Sequence, residues 1–149
     1  IFFDVSEDVN QIELYRRDFT VPANTDHIFD FSMTTVYDTD TNLCPGTGVP
    51  SRLIYQVQDA FGAVLATTTT GVVENGPNPD WNTYALNFNT GVNTTIQIVL
   101  LNDFFGACGN DLVIDDINVI SLNTCSDTSS FFINFFPVAV IRCCIVVDE

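Results

Sequence analysis

A chain of 149 residues is about one domain long and has enough sequence to bury a core without staples. It is 46% hydrophobic with 13 Phe, a composition that argues against intrinsic disorder. Its basic side is four Arg and no Lys against 15 Asp and 4 Glu; the formal charge of −15 disfavours nucleic acid and electrostatic docking on anionic membranes, and makes cations the natural counter-species.

Ile1-Phe2-Phe3-Asp4 opens the chain without Met or a basic leader, and reads as a mature or excised segment rather than a signal peptide. From Gln11 to Val21 the sequence reads as a strand, closed by Pro22-Ala23-Asn24-Thr25-Asp26. Ile28, Phe29, Phe31, Met33 and Val36 mark a second strand, followed by a polar loop from Asp38 to Pro50. Leu53, Tyr55 and Val57 alternate with Ile54, Gln56 and Gln58, the period of a half-buried strand. Asp59-Ala60-Phe61-Gly62 then predicts a hairpin turn into Ala63 to Thr70. After a Gly/Pro/Asn-rich break from Gly71 to Asp80, strands are expected from Trp81 to Phe88, from Thr94 to Leu101, and around Asp115-Asp116. The acids come mostly as Asp mixed with Asn and Thr, side chains that bond nearby backbone and favour turns over helix interiors. About eight to ten short strands without helical periodicity predict an all-β antiparallel sandwich or jelly roll over residues 1–125.

Residues 126–149 depart from the pattern. Phe131 to Val147 is apolar on both parities, yet shorter than the roughly twenty residues of a membrane helix and interrupted by Asn134, Pro137 and Arg142. It reads as one or two strands covered on both faces, with Pro137 at an edge or break. Those strands either complete this domain's own sheets or, with Phe2, Phe3, Phe132, Phe136 and Val140 at the contact, pair with a neighbouring subunit or domain.

Gly109-Asn110-Asp111-Leu112-Val113-Ile114-Asp115-Asp116-Ile117-Asn118-Val119 is the most informative stretch. Neighbouring strand residues point to opposite faces, so both carboxylates avoid the interior only at an edge or a bulge. Diverging side chains cannot face each other across a sugar as a glycosidase pair does. His27 is the single histidine, reads as a turn or strand-end residue, and has no Gly-x-Ser-x-Gly companion, so no enzyme is expected. Calcium takes oxygens from carboxylates, carbonyls and amides, and a site assembled from Asp115 or Asp116 with N-terminal Asp4, Glu7 or Asp8 is one reading; carboxylates capping turn amides are the other.

Flat rings stack on the apolar face of a pyranose, which makes Tyr37, Tyr55, Trp81, Tyr84, Phe104 and Phe105 candidates for a sugar platform. Trp81 opens an alternating strand and reads more readily as a ring packed between sheets, whereas Phe104-Phe105 lie in a loop where two adjacent rings are hard to bury together. Among five cysteines there is no Cys-x-x-Cys pair; Cys44 and Cys108 sit in Gly-containing loops suited to a disulfide, with free thiols as the alternative. Asn93-Thr94-Thr95 is a glycosylation sequon that matters only in a eukaryotic source.

Phe19 to Ser32, Trp81 to Phe88 and Gly109 to Ile117 together resemble galactose-binding-like jelly-roll modules, most closely those repeated in large secreted adhesins of Bacteroidetes, including gliding and attachment proteins. The resemblance covers about Gln11 to Leu122. It implies a non-enzymatic, secreted cell-surface module that binds glycans or surfaces, with a terminal-strand Asp, here Asp116 or Asp115, joining N-terminal ligands around structural calcium. The Asn-Gly-x-Phe-Glu strand usual for those ligands does not appear. The alternative function is structural: a subunit of an extracellular filament assembled through its apolar terminal strands.

Overall fold

Apolar residues at every second position build two layers around one core. The computed structural model of the chain describes residues 1–4, 11–36, 49–74, 80–104 and 110–122. Within them lie eight strands and no helix: β1 (Phe2–Phe3), β2 (Glu13–Thr20), β3 (Asp26–Thr35), β4 (Leu53–Asp59), β5 (Val64–Thr69), β6 (Asn82–Asn89), β7 (Thr95–Asn102) and β8 (Leu112–Ser121). Each strand expected between Gln11 and Leu122 is present within a few residues of its predicted ends, the strands expected from Phe131 to Val147 lie outside the described residues, and among the described residues no helix is long and apolar enough to cross a membrane.

All pairings are antiparallel, in two four-stranded sheets of order β1-β8-β3-β6 and β2-β7-β4-β5. The pairs β1·β8, β2·β7, β3·β6 and β4·β5 are nested like one long hairpin, and β3·β8 and β4·β7 join them into sheets. Only β4 and β5 are chain neighbours that pair; every other connection crosses between the sheets, which is jelly-roll winding. The β4–β5 turn follows its sequence: the Asp59 carboxylate accepts the amides of Phe61 (2.8 Å) and Ala63 (2.9 Å), and Gly62 takes φ 88°, a left-handed conformation open to glycine. The β2–β3 and β6–β7 turns close the same end, tied by the buried Thr90 hydroxyl, which donates to the Pro22 carbonyl (2.9 Å) and accepts from the Thr25 amide (3.0 Å).

Between the sheets, β3 contributes Phe29, Phe31 and Met33, β8 contributes Leu112 and Ile114, and β7 contributes Ile96, Ile98 and Leu100, all wholly buried. Phe31 is the hub of an aromatic cluster: its centroid lies 5.4 Å from Phe29, 5.2 Å from Tyr55 and 5.5 Å from Tyr84. Burial pushes the Tyr55 hydroxyl above the ordinary tyrosine range, the adjoining Tyr84 adding to the effect, and burial alone does the same for Tyr84. Unfolded tyrosines ionise first, near about pH 10, so the stability contributed by these rings is fully present below that pH and is lost as pH rises past it. Denaturant unfolding at about pH 8 and about pH 11 should therefore show a smaller loss of stability in Tyr84→Phe than in the parent chain.

Trp81 is not packed between the sheets: it precedes β6 by one residue, on the parity of outward-facing Thr83 and Ala85, and is 53% exposed. Inward positions in β6 belong instead to Tyr84, Leu86 and Phe88, so the alternation was read correctly and assigned to the wrong face. Of the terminal residues expected at a contact, Phe3 packs partly buried against the chain's own core and pairs with Leu112, and Phe2, paired with Val113, is exposed. Phe132, Phe136, Val140, Cys44 and Cys108 lie outside the described residues.

Candidate functional site

On the outer face of the β1-β8-β3-β6 sheet, polar side chains gather around the middle of β3. Ser32 on β3 lies between Thr83 of β6 and Asp115 of β8, and Asp30 lies between Ala85 and Asn118. The β3–β8 register shifts by one residue between those two rows, so Asp116 and Ile117 together face the single residue Phe31. This is a β-bulge. Before it Leu112 and Ile114 point inward; after it Ile117 and Val119 do.

The bulge answers how two adjacent acids stay out of the core. Asp116 takes φ 53°, the left-handed region that Asp and Asn tolerate better than other L-residues, and both Asp115 and Asp116 are exposed. The Asp115 carboxylate accepts the Asp116 amide at 3.0 Å. Asn118 then donates its side-chain amide to the Asp116 carbonyl (2.9 Å) and to the Asp30 carboxylate (3.0 Å). The Ser32 and Thr83 hydroxyls lie 3.4 Å apart in the adjoining row.

Since only backbone conformation is at stake, Asp116→Gly should leave stability unchanged or slightly raised, while Asp116→Val should cost about 1–2 kcal/mol. Thermal melts of the two variants check this. Equal behaviour of both would show that the left-handed turn is absent in solution.

Ser32, Trp81, Asp115 and Asp116 line an open cleft of ≈ 250 Å³ on this face. Among the described residues neither Asp115 nor Asp116 forms an ion pair; the carboxylates that do are Glu13, with Arg16 (2.7 Å), and Asp103, with Arg52 (2.7 Å). The cleft thus offers acceptor-only carboxylates, a hydroxyl that gives and takes, and an indole face. That set suits a polyol: hydroxyls donate to the acids while an apolar ring face covers the indole.

The other sequence candidates are placed differently. Phe104 does not line the Trp81 cleft: the Arg52 guanidinium lies 5.1 Å over its ring, and Asn102 donates to its carbonyl at 2.7 Å, so it is held at the end of β7. Tyr37 and Phe105 lie outside the described residues. His27 is buried on the inner face of β3, its ring stacked 5.4 Å from Phe88 and its Nδ1 3.3 Å from the Thr25 carbonyl oxygen, with no access to the cleft. Of the calcium candidates, Asp4, Asp115 and Asp116 are exposed and Glu7 lies outside the described residues. Among the described residues no three His, Cys, Asp or Glu side chains gather, whereas calcium takes about six to eight oxygens. Sequence reasoning passed over Ser32, Asp30 and Asn118, whose relevance comes from strand register; the one local signal was the Asp116-x-Asn118 spacing.

By sequence, no family model and no curated protein matches the chain. In three dimensions it is similar to a solved structure described as "CBM4 structure and function", with a TM-score of 0.52 at 10% identity over 71% of this chain; it spans 59% of that one. It is also similar to "EclA C-terminal domain; sugar-binding protein", with a TM-score of 0.58 at 12% identity, covering 80% of this chain and 75% of that one. At such identities the likeness is one of fold alone, an antiparallel jelly-roll sandwich shared with these two structures.

Proposed function

We propose that this chain is a non-enzymatic carbohydrate-binding module that holds glycan on the outer face of β3, β6 and β8. The observation that carries the reading is Trp81, 53% exposed and set in one cleft with two carboxylates that form no ion pair among the described residues. Leaving a large indole in water forfeits apolar burial that a sugar's C–H face restores, and the carboxylates accept from the hydroxyls around it. Fold likeness to a CBM4 structure and to a sugar-binding domain supports the same ligand class. The resemblance of its motifs to adhesin modules supports a place in a secreted, cell-surface protein. An array of neutral glycans, probed with the full chain with and without chelator, tests the proposal. Signal on at least one neutral glycan that disappears in Trp81→Ala is expected; no signal in calcium overturns it.

A further inference from the structure

A second open cleft, of ≈ 190 Å³, lies on the other side of the same bulge, where edge strand β2 of one sheet faces β8 of the other. Tyr15, Arg17, Asp115, Asp116 and Ile117 are among its walls. Arg17 occupies an inward parity: it pairs with the wholly buried Ile98, between Tyr15 and Phe19, and its guanidinium lies 5.2 Å over the Phe19 ring. Arg16 and Arg52 are ion-paired, whereas among the described residues Arg17 has no carboxylate partner. An inward charge on an edge strand discourages pairing with another sheet. That accounts for a charge at this position, but not for a guanidinium and two carboxylates that share a cleft without closing on one another.

Resting on the glycan reading above, we propose that the two clefts form one extended site that takes a neutral oligosaccharide of several units, with Arg17 determining length specificity at its far end. Asp115 and Asp116 wall both clefts, so the two share the bulge as a common wall, with Trp81 on one side of it and Arg17 on the other. Neither cleft alone reaches the roughly 300–1,000 Å³ of a ligand pocket, while ≈ 250 and ≈ 190 Å³ together do. Arg is donor-only and the carboxylates acceptor-only; a sugar hydroxyl is both, and bridges groups that stand too far apart to pair directly. The formal charge of −15 over the whole chain favours a neutral ligand over one of uronic acids. Stacking on Phe19 holds the guanidinium in place before the ligand arrives.

Calorimetry of the full chain against one neutral homologous series, from monosaccharide to hexasaccharide, tests the inference. The parent chain should bind more tightly as the ligand lengthens. Arg17→Ala, melting within a few degrees of the parent, should lose most of that gain, roughly tenfold in affinity for the longest member, the loss expected for a hydrogen bond from a charged donor. Trp81→Ala should weaken binding at every length. An Arg17→Ala series that keeps the full gain with length overturns the extended site and leaves the Trp81 site standing, as does an equal loss at every length. Tighter binding of a uronate chain than of its neutral counterpart overturns the ligand class proposed here. Failure of the parent to bind any member overturns the glycan reading itself, and this inference with it.

Discussion

Replacing Trp81 with Ala should weaken glycan binding by about 2 kcal/mol, roughly thirtyfold in Kd, without disturbing the fold. The first half follows from exposure. An indole 53% exposed at the start of β6 contributes little to the core, yet it is the largest flat apolar surface in a cleft otherwise walled by Ser32, Asp115 and Asp116. Removing it leaves hydrogen bonds that water makes equally well, and little to favour sugar over solvent. The second half follows from packing: surface substitutions away from caps and buried networks shift stability by about 0.5 kcal/mol or less. Calorimetry with a bound glycan, beside a thermal melt, separates the two effects. Trp81→Phe should recover part of the affinity because a smaller ring still stacks. A variant that binds as the parent does would move the glycan site off this face.

Phe31→Ala should give the largest loss of stability of any single truncation on β3, about 3–5 kcal/mol, read as a fall in the denaturant midpoint at unchanged slope. Phe31 is wholly buried and in contact with three other rings, so the cavity it leaves is walled by Phe29, Tyr55 and Tyr84 from both sheets. Rings held from two sheets cannot collapse into the space without moving a strand, which puts this site at the costly end of the range. Total stability for a domain is about 5–15 kcal/mol, so the variant folds marginally. Phe31 also sits under the bulge that presents Asp115 and Asp116. Glycan affinity should therefore fall as well, but only in the melted fraction or through a loosened bulge, whereas Trp81→Ala loses affinity in a fully folded chain. Phe31→Leu, which keeps most of the volume, should cost clearly less than Phe31→Ala; equal costs would show that ring contacts, not volume, hold the core.

Much of the fold was legible because its signals are local. The alternation of Leu53, Tyr55 and Val57, the Asp59-Ala60-Phe61-Gly62 turn and the Thr94 to Leu101 run each specify a strand or turn through side chains a few residues apart. The site was legible only in fragments. Asp115 and Asp116 stood out as acids where a strand wants apolar residues, and the bulge that accommodates them was one of two ways out. Trp81 was noticed, but its face was not, because period two says that alternate residues share a face without saying which face is inside.

The sequence by itself therefore determined an all-β, strongly acidic module and the positions of its strands between Gln11 and Leu122, since propensity, turn chemistry and charge act over short distances along the chain. Which strands pair, and hence the crossing of nearly every connection between sheets, was decided by tertiary structure alone, through the shared burial of apolar faces from segments as distant as β1 and β8. Register decided the rest. It set Ser32 from the first quarter of the chain between Thr83 and Asp115, and so brought Trp81 and the two acids to one cleft and Arg17 to the next. A one-residue slip would have turned each of these side chains to the other face, and no short-range signal in the chain excludes that slip.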